Sequence, residues 1–332
     1  MIKTSRTNVF TAFTSLETPV FFTPSHYSLT CVLLTVCLLP AYALLVGAFG
    51  WKILALLGLS IAAGFLTEYL GIRVTRHHTG YFGYPVWLLF PLITPPGLEL
   101  WMSVLCLVLA VIISVILFGG FGYQLFHPVV TAQVFVLINF QVAAASGFLR
   151  PFIRPDFGFS VWTSLAGTEE TTLKFLQGGG EMGLLRLLWG PNTGFAGDAF
   201  PLALLIGGAV FLLLGGVNRK TPLAFLAGLF VFSTLGNLAA PAHFLSFLPS
   251  LLGGSAVLYA FFIFSDRWTS AKSGGGRIAA GVLLSLFTVL MRALSSNIEG
   301  IVFAALLVTA VTPLLDEFVF SLTGKKRKGG NA

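Results

Sequence analysis

Long apolar stretches, separated by short polar connections, run along the whole chain. Ten of them approach the roughly 20 residues that a helix needs to cross about 30 Å of hydrocarbon. They lie at about 29–50, 52–71, 81–95, 98–118, 129–149, 199–217, 221–240, 244–265, 277–295 and 299–321. The third is short and contains Pro85, Pro91, Pro95 and Pro96, which predicts a broken or re-entrant segment. The pattern predicts an all-α polytopic membrane protein with about ten transmembrane helices.

The composition favours lipid over water as the solvent of this chain. Only 9% of the 332 residues are charged, whereas a soluble domain has about 25%. We therefore interpret the net charge of +7 as a signal for the orientation of the chain in the membrane, and we expect no nucleic-acid partner. Cys31, Cys37 and Cys106 lie inside apolar stretches without a C-x-x-C spacing, so we predict neither iron–sulfur ligands nor a metal site.

Basic residues are distributed unevenly between the two sides of the predicted bundle. The side of the termini holds thirteen: Lys3, Arg6, Arg73, Arg76, Arg219, Lys220, Arg267, Lys272, Arg277, Lys325, Lys326, Arg327 and Lys328. The other side holds six, and four of those lie in one long loop. Because Lys and Arg favour cytoplasmic loops, both termini are predicted to be cytoplasmic.

The long loop at 150–198 divides the chain into two halves. We predict an N-terminal cytoplasmic segment at 1–28, five spans at 29–149, this loop on the outer face, five spans at 199–321 and a basic cytoplasmic tail at 322–332. With five spans in each half, any internal repeat would be inverted in the membrane. The similarity between the halves is vague, so the sequence leaves such a repeat open.

Four acidic residues lie in or beside apolar stretches: Glu68, Asp266, Glu299 and Asp316. Burying a carboxylate in a membrane is expensive, so an ion path is the first hypothesis. The alternative is that these acids lie at helix ends, solvated or paired with Arg73, Arg277 or Arg292. For Glu68, which has Thr67 and Tyr69 beside it in an apolar run, the functional interpretation is favoured.

Several motifs resemble one family of membrane proteins. The strings Phe90–Pro96, Leu100-Trp101, Phe118–Gly122 and His127-Pro128 are similar to landmarks of the B subunit of the sodium-translocating NADH:quinone oxidoreductase and of the D subunit of the Rnf complex. The second half agrees in order, with Gly207-Gly208, Gly253-Gly254, Phe261–Asp266, Thr269-Ser270, Gly276-Arg277, Arg292, Glu299-Gly300 and Pro313–Asp316. The resemblance covers roughly residues 50–320.

This resemblance implies a membrane component of an electron transport complex in the bacterial cytoplasmic membrane. In the family, electrons pass through flavins and drive Na+ or H+ movement, and other subunits of the complex are the partners. One FMN is joined to a threonine in a Ser-Gly-Ala-Thr motif on the loop after the fifth span. Family acids that match Glu68, Glu299 and Asp316 are linked to ion passage.

The expected flavin site departs from the family pattern. The loop lacks Ser-Gly-Ala-Thr, and the candidate threonines are Thr171 or Thr168, according to the alignment chosen, with Thr172 beside them. Further cofactor candidates are Gly119, Gly120, His127 and Asp198; the last two stand in altered versions of the family's Asn-Pro-Ala and Gly-Glu-Thr-Ser.

These departures leave alternatives open. The threonines could be ordinary loop or N-cap residues, and His127 a loop histidine that hydrogen-bonds backbone. The flavin would then be noncovalent, riboflavin being one form, or absent. The second hypothesis for the whole chain is a flavin-free transporter or membrane scaffold. The chain has no dinucleotide-binding fingerprint, so we do not expect it to oxidise NADH unaided.

Overall fold

The computed structural model describes residues 24–75, 82–151, 170–215, 217–241, 243–294 and 299–323, and their regular elements are all helical. The first half contains α1 (Pro24–Phe49), α2 (Lys52–Thr75), α3 (Tyr84–Leu89, continued by a 3-10 turn Phe90–Ile93), α4 (Leu100–Val111, continued by a π turn Ile112–Ile116), α5 (Pro128–Asn139) and α6 (Gln141–Ser146). The connection between the halves contains α7 (Thr172–Gln177), α8 (Leu184–Trp189) and a 3-10 turn Ala196–Ala199.

The second half contains α9 (Pro201–Leu214), α10 (Lys220–Ala239), α11 (Phe247–Leu252), α12 (Ala256–Leu258, continued by a π turn Tyr259–Ile263), α13 (Gly274–Leu294) and α14 (Gly300–Thr323). Each of the ten predicted apolar stretches therefore contains helix. Five helices of the described chain are long and apolar enough to cross a membrane, namely α1, α2, α10, α13 and α14.

The distribution of side chains is the one that lipid requires. Large apolar residues project outward from the long helices, among them Leu39 on α1, Leu66 on α2, Phe230 on α10 and Phe318 on α14, each more than half exposed. Polar and small residues turn inward instead. Soluble monomers rarely expose so much apolar surface. The prediction of an all-α multi-pass membrane protein is therefore confirmed.

The third apolar stretch is interrupted, as its prolines predict. Helical structure ends at Ile93, and the chain then runs through Pro95 and Pro96 without regular structure to α4. Its backbone groups are bonded by the surrounding protein, because Ala196 donates its N–H to the Thr94 carbonyl at 3.0 Å and Gly97 donates to Gly147 at 2.8 Å. Irregular backbone at membrane depth is tolerated under this condition.

The eighth stretch is interrupted as well, between α11 and α12. The break falls at Gly253–Ser255, one turn after Pro249. The third member of each half is therefore a broken helix. This parallel fits an inverted repeat of five-membered halves, which stays a prediction.

The helices assemble into one bundle. In the second half α10 packs along α13 and α13 along α14; in the first half α4 packs against both α2 and α5. The halves meet where α1 contacts α9 and α5 contacts α14.

The bundle has a terminal end and a loop end. At the terminal end, where α1 begins and α14 ends, the ring of Tyr27 contacts the rings of Phe121 and Trp268 at centroid distances of 6.4 and 5.8 Å. At the loop end, the connection between the halves contacts both interrupted segments, and Phe148 packs on Phe195 at 5.3 Å.

The close approach of α2 and α3 depends on Gly64. A Cβ atom at this position would lie 2.3 Å from the buried ring of Trp87, whereas a Cβ at the exposed Gly58 of the same helix would meet nothing within 4 Å. We expect Gly64→Ala to lower stability by about 1–3 kcal/mol through overpacking. Gly58→Ala should leave stability unchanged or raise it slightly, because alanine favours helix. Thermal unfolding of the two purified variants in detergent checks this; equal midpoints would contradict the packing described.

Candidate functional site

A cluster of buried charged groups lies at the loop end. Asp198 accepts hydrogen bonds from the Phe195 N–H at 3.2 Å and from the Ser255 hydroxyl at 3.2 Å. Glu299 accepts one from the Ser255 N–H at 3.3 Å, and its other oxygen lies 3.6 Å from Nη2 of Arg292. Arg292 also donates to the hydroxyl and carbonyl oxygens of Ser250. The cluster joins α13, the start of α14, the start of α12 and the 3-10 turn before α9.

Burial controls the charge of this cluster. Desolvation raises the pKa of the Asp198 carboxyl, and the nearby negative charge of Glu299 raises it further, against the lowering effect of Arg292. When all three groups are ionised, the one positive charge of Arg292 balances only one of the two negative carboxylates.

A second carboxylate contact lies at the terminal end. Both oxygens of Glu68 accept the N–H of Gly83, at 3.1 and 2.8 Å. Gly83 immediately precedes α3, so Glu68 binds the first turn of the interrupted helix. In the same way, Glu299 binds the N–H of Ser255, which precedes α12. A carboxylate supplied by another helix therefore lies at the start of α3 and at the start of α12.

His127 and Asp266 form a pair at the terminal end, and they come from different halves of the chain. Nε2 of His127 lies 3.7 Å from Oδ2 of Asp266. Asp266 also accepts from the N–H of Trp268 at 3.1 Å and from the Thr269 hydroxyl at 3.0 Å. Burial raises the pKa of Asp266 to about 6 and lowers that of His127 to about 3. His127 is therefore neutral, and because its Nδ1 accepts the N–H of Val129, its proton is assigned to Nε2, facing Asp266.

A partly open cleft lies against this pair, between α1, α3, α9 and the segment after α12. Its walls include the rings of Phe121, Phe211, Phe262 and Trp268. Gln124, His127 and Asp266 supply polar groups to it. The Gln124 side chain is buried, and its Oε1 has no hydrogen-bond partner among the described residues.

Gly119 and Gly120 shape the turn that leads to this cleft. Their φ angles are +101° and +112°, a conformation that glycine adopts readily and other residues avoid. They belong to the connection between α4 and His127, and neither lines the cleft. The glycine-rich string is therefore explained by backbone geometry.

The candidate flavin threonines occupy the connection between the halves. Thr171 is the N-cap of α7, where its hydroxyl accepts the N–H of Lys174 at 3.3 Å. The Thr172 hydroxyl accepts the N–H of Thr193 at 2.9 Å. Both side chains are buried, so a flavin on Thr171 would require the residues that cover its hydroxyl to move. Thr168 lies outside the described residues.

Asp316 belongs neither to the loop-end cluster nor to the His127–Asp266 pair. Its carboxylate accepts hydrogen bonds from the N–H groups of Lys272 and Ser273 at 2.6 and 2.8 Å and from the Ser273 hydroxyl at 2.6 Å. These contacts attach α14 to the start of α13. These are the contacts of a structural anchor between two helices.

Comparison with known proteins identifies the family. Residues 17–323 match the model of the NQR2, RnfD, RnfE family. The chain is 32% identical over 321 residues to the D subunit of the ion-translocating oxidoreductase complex of Cronobacter sakazakii, covering 86% of this chain and 91% of the relative. The corresponding D subunits of Shewanella frigidimarina and Aliivibrio salmonicida are 27% and 28% identical, covering 93% and 85% of this chain and 97% and 89% of those relatives. The chain belongs to the NQR2, RnfD, RnfE family.

The structure adds two residues that the sequence did not single out. Tyr259, in the π turn after α12, donates its hydroxyl to Oε1 of Gln133 on α5 at 2.6 Å, and both residues are fully buried. Tyr259 lies one turn beyond Ser255, to whose carbonyl its N–H is bonded. Gln133 lies on the same helix that His127 caps. The signal in the sequence was a polar side chain within each of two apolar stretches.

A row of buried polar side chains, called the polar row below, therefore runs from the loop end of the bundle to its terminal end. The groups in order are Asp198 and Glu299, Ser255, Tyr259, Gln133, His127 and Asp266. Gln133 and His127 are six residues apart on α5, about 9 Å along a helix. The row runs from groups of the second half to Gln133 and His127 of the first half, and ends at Asp266 of the second half.

The Tyr259–Gln133 hydrogen bond offers a direct test of this arrangement. Tyr259→Phe leaves Gln133 buried without its partner, which should cost about 1–3 kcal/mol of stability. Adding Gln133→Leu should recover part of that loss, because both partners are then apolar. The exposed hydroxyl of Tyr69, which accepts from Arg73, provides the control variant Tyr69→Phe, with little expected effect. Thermal unfolding compares wild type, Tyr259→Phe, Gln133→Leu, the double variant and the control, and additive losses in the double variant would contradict the contact.

Proposed function

We propose that this chain is the membrane component of a redox-driven, ion-translocating electron transport complex, with both termini in the cytoplasm. Its family membership supports the redox complex, since the relatives are named as subunits of an ion-translocating oxidoreductase complex. The observation that carries the ion-translocating part is the buried polar row, because ionisable groups inside a membrane bundle mark ion pathways. The transported ion is Na+ or H+.

A noncovalent flavin in the cleft beside His127 is part of the proposal. Four aromatic rings supply flat apolar walls for a fused ring system, and the unpartnered Gln124 oxygen can accept an N–H from its polar edge. When bound, a flavin accepts and donates electrons one or two at a time. Gln124 and His127 would orient the ring edge, and the aromatic walls would exclude water.

The connection between the halves supports a covalent flavin less well. The hydroxyl groups of Thr171 and Thr172 serve as acceptors in buried backbone contacts, and the family's attachment motif is absent. The engaged hydroxyls and the absent motif also favour the alternative function, a flavin-free transporter or membrane scaffold that keeps the helical body. The partners in the redox proposal are the other subunits of the complex and the bilayer.

Flavin retention in Gln124→Leu tests the proposal. The substitution removes the unpartnered amide from the cleft, so we expect the flavin content of the purified protein to fall at least fivefold. The exposed Gln141 provides the control variant Gln141→Leu, which should retain flavin. Flavin is measured in the supernatant after denaturation.

Ultraviolet fluorescence of a denaturing gel separates the alternatives. The proposal expects a dark protein band and free flavin in solution. Fluorescence that stays with the band and disappears in Thr168→Ala or Thr171→Ala would instead establish covalent attachment in the loop. A flavin-free preparation from a host that makes the flavin transferase would favour the transporter or scaffold.

A further inference from the structure

A group of basic residues lies at the terminal end, where α10 and α13 begin. Both helices are long and apolar enough to cross a membrane, so their first residues lie at a membrane boundary. Five cations stand on these helix starts and on the connections before them, and together they are called the basic patch: Arg219, Lys220, Arg267, Lys272 and Arg277.

The fold joins the two connections that carry the basic patch. The N–H of Asn218 donates to the carbonyl of Ser265 at 2.9 Å, which links the connection before α10 to the one before α13. The starts of the two helices are also close, because a Cβ atom on Gly274 would lie 2.9 Å from Nζ of Lys220. Residues that are about 50 positions apart in the chain therefore form one surface.

The cations of this surface are close enough to influence one another. Desolvation lowers the pKa of the Arg267 guanidinium, and the positive charges of Arg277 and Arg219 lower it further. The starts of α10 and α13 add the positive ends of two helix dipoles. Because like charges repel at short range, the basic patch favours a bound anion.

Contacts within the protein compensate this charge only in part. Nη2 of Arg219 donates to the carbonyl of Leu213 at 2.7 Å, and Nε of Arg277 donates to the carbonyl of Ala271 at 2.7 Å. A carbonyl oxygen has only a partial negative charge. The adjoining segments carry fewer acids than cations, namely Asp266, Asp316 and Glu317.

Exposed apolar side chains adjoin the basic patch. Leu213 at the end of α9, Leu223 in the first turn of α10 and Ile278 early in α13 are 67%, 60% and 49% exposed. Arg219 contacts the Leu213 carbonyl, and its own carbonyl accepts the N–H of Leu223 at 3.2 Å. Ile278 directly follows Arg277. A partner that fits this surface has an anionic group beside an apolar body.

We infer that the basic patch binds the headgroup of an anionic phospholipid, whose acyl chains lie along the adjoining apolar side chains. Three of the five cations are arginines, and a guanidinium group donates two parallel N–H groups to a phosphate. The acyl chains cover apolar side chains that a water-soluble anion would leave exposed. Basic pockets between transmembrane helices bind anionic headgroups in this way.

The variants for the test are Arg219→Gln and Arg277→Gln, made singly and together. Each removes a guanidinium group that adjoins the exposed apolar side chains. Arg73→Gln is the matched control, because Arg73 is an exposed arginine in the last turn of α2. Its guanidinium lies over the ring of Tyr69 at 5.2 Å, outside the basic patch.

Native mass spectrometry of the purified full chain measures the binding of phosphatidylglycerol and of phosphatidylcholine with the same acyl chains. We expect wild type and the control to bind phosphatidylglycerol at least about tenfold more tightly than phosphatidylcholine. This preference should fall about fivefold in each single variant and further in the double variant, because each arginine contributes separately to the attraction. Added salt should weaken the preference, since it screens the charges.

Three results would overturn the inference. The first is equal binding of the two lipids by wild type. The second is the same preference in wild type and all test variants, which would leave the cations a role in chain orientation alone. The third is binding of inorganic phosphate or a polyglutamate peptide without binding of phosphatidylglycerol, which would assign the surface to a water-soluble partner.

Thermal unfolding in the same detergent verifies that the variants are folded. If Arg277→Gln does not fold, Lys220→Gln replaces it, because Lys220 is exposed. The assay needs neither flavin, electron donor nor transported ion. Its failure therefore leaves the proposed function intact, and failure of the flavin test leaves the lipid site intact.

Discussion

The bundle depends on bonding the backbone of its two interrupted segments within the membrane. A helix that begins inside a bilayer has N–H groups without intrahelical partners, and lipid offers no substitute. Here Glu68 binds the N–H of Gly83, and Glu299 binds that of Ser255. Each carboxylate interacts favourably with the positive end of a helix dipole. The cost of burying these acids is thereby reduced, and the acids lie where the chain is irregular.

The same breaks bring polar groups of the two halves together. The turn after α12 places Tyr259 against Gln133, and the segment that follows places Asp266 against His127. A pair of uninterrupted helices would offer mostly apolar side chains at this depth. The polar row is thus a consequence of the interrupted architecture, and it connects the loop-end acids with the cleft at the terminal end.

Much of the architecture could be predicted from the sequence, because apolar length and proline position are local properties. The prolines of the third stretch correctly predicted that its helix is interrupted. The interruption at Gly253–Ser255 was missed because two glycines in a membrane helix are more often explained by tight packing. The alternatives weighed for Arg292 and Thr171, an ion pair with an acid and an N-cap, correspond to contacts now observed. The pairs His127–Asp266 and Tyr259–Gln133 could not be predicted, since each joins residues that are distant in the chain through the packing of the halves.

The central claim is that ion movement through this chain is coupled to electron transfer. Its most direct test is the number of ions moved per electron by the complete complex in proteoliposomes, compared between wild type and Glu299→Gln. The account predicts that the variant transfers electrons but moves fewer ions per electron. An unchanged ratio in a folded variant would contradict it and would place the ion path elsewhere in the complex.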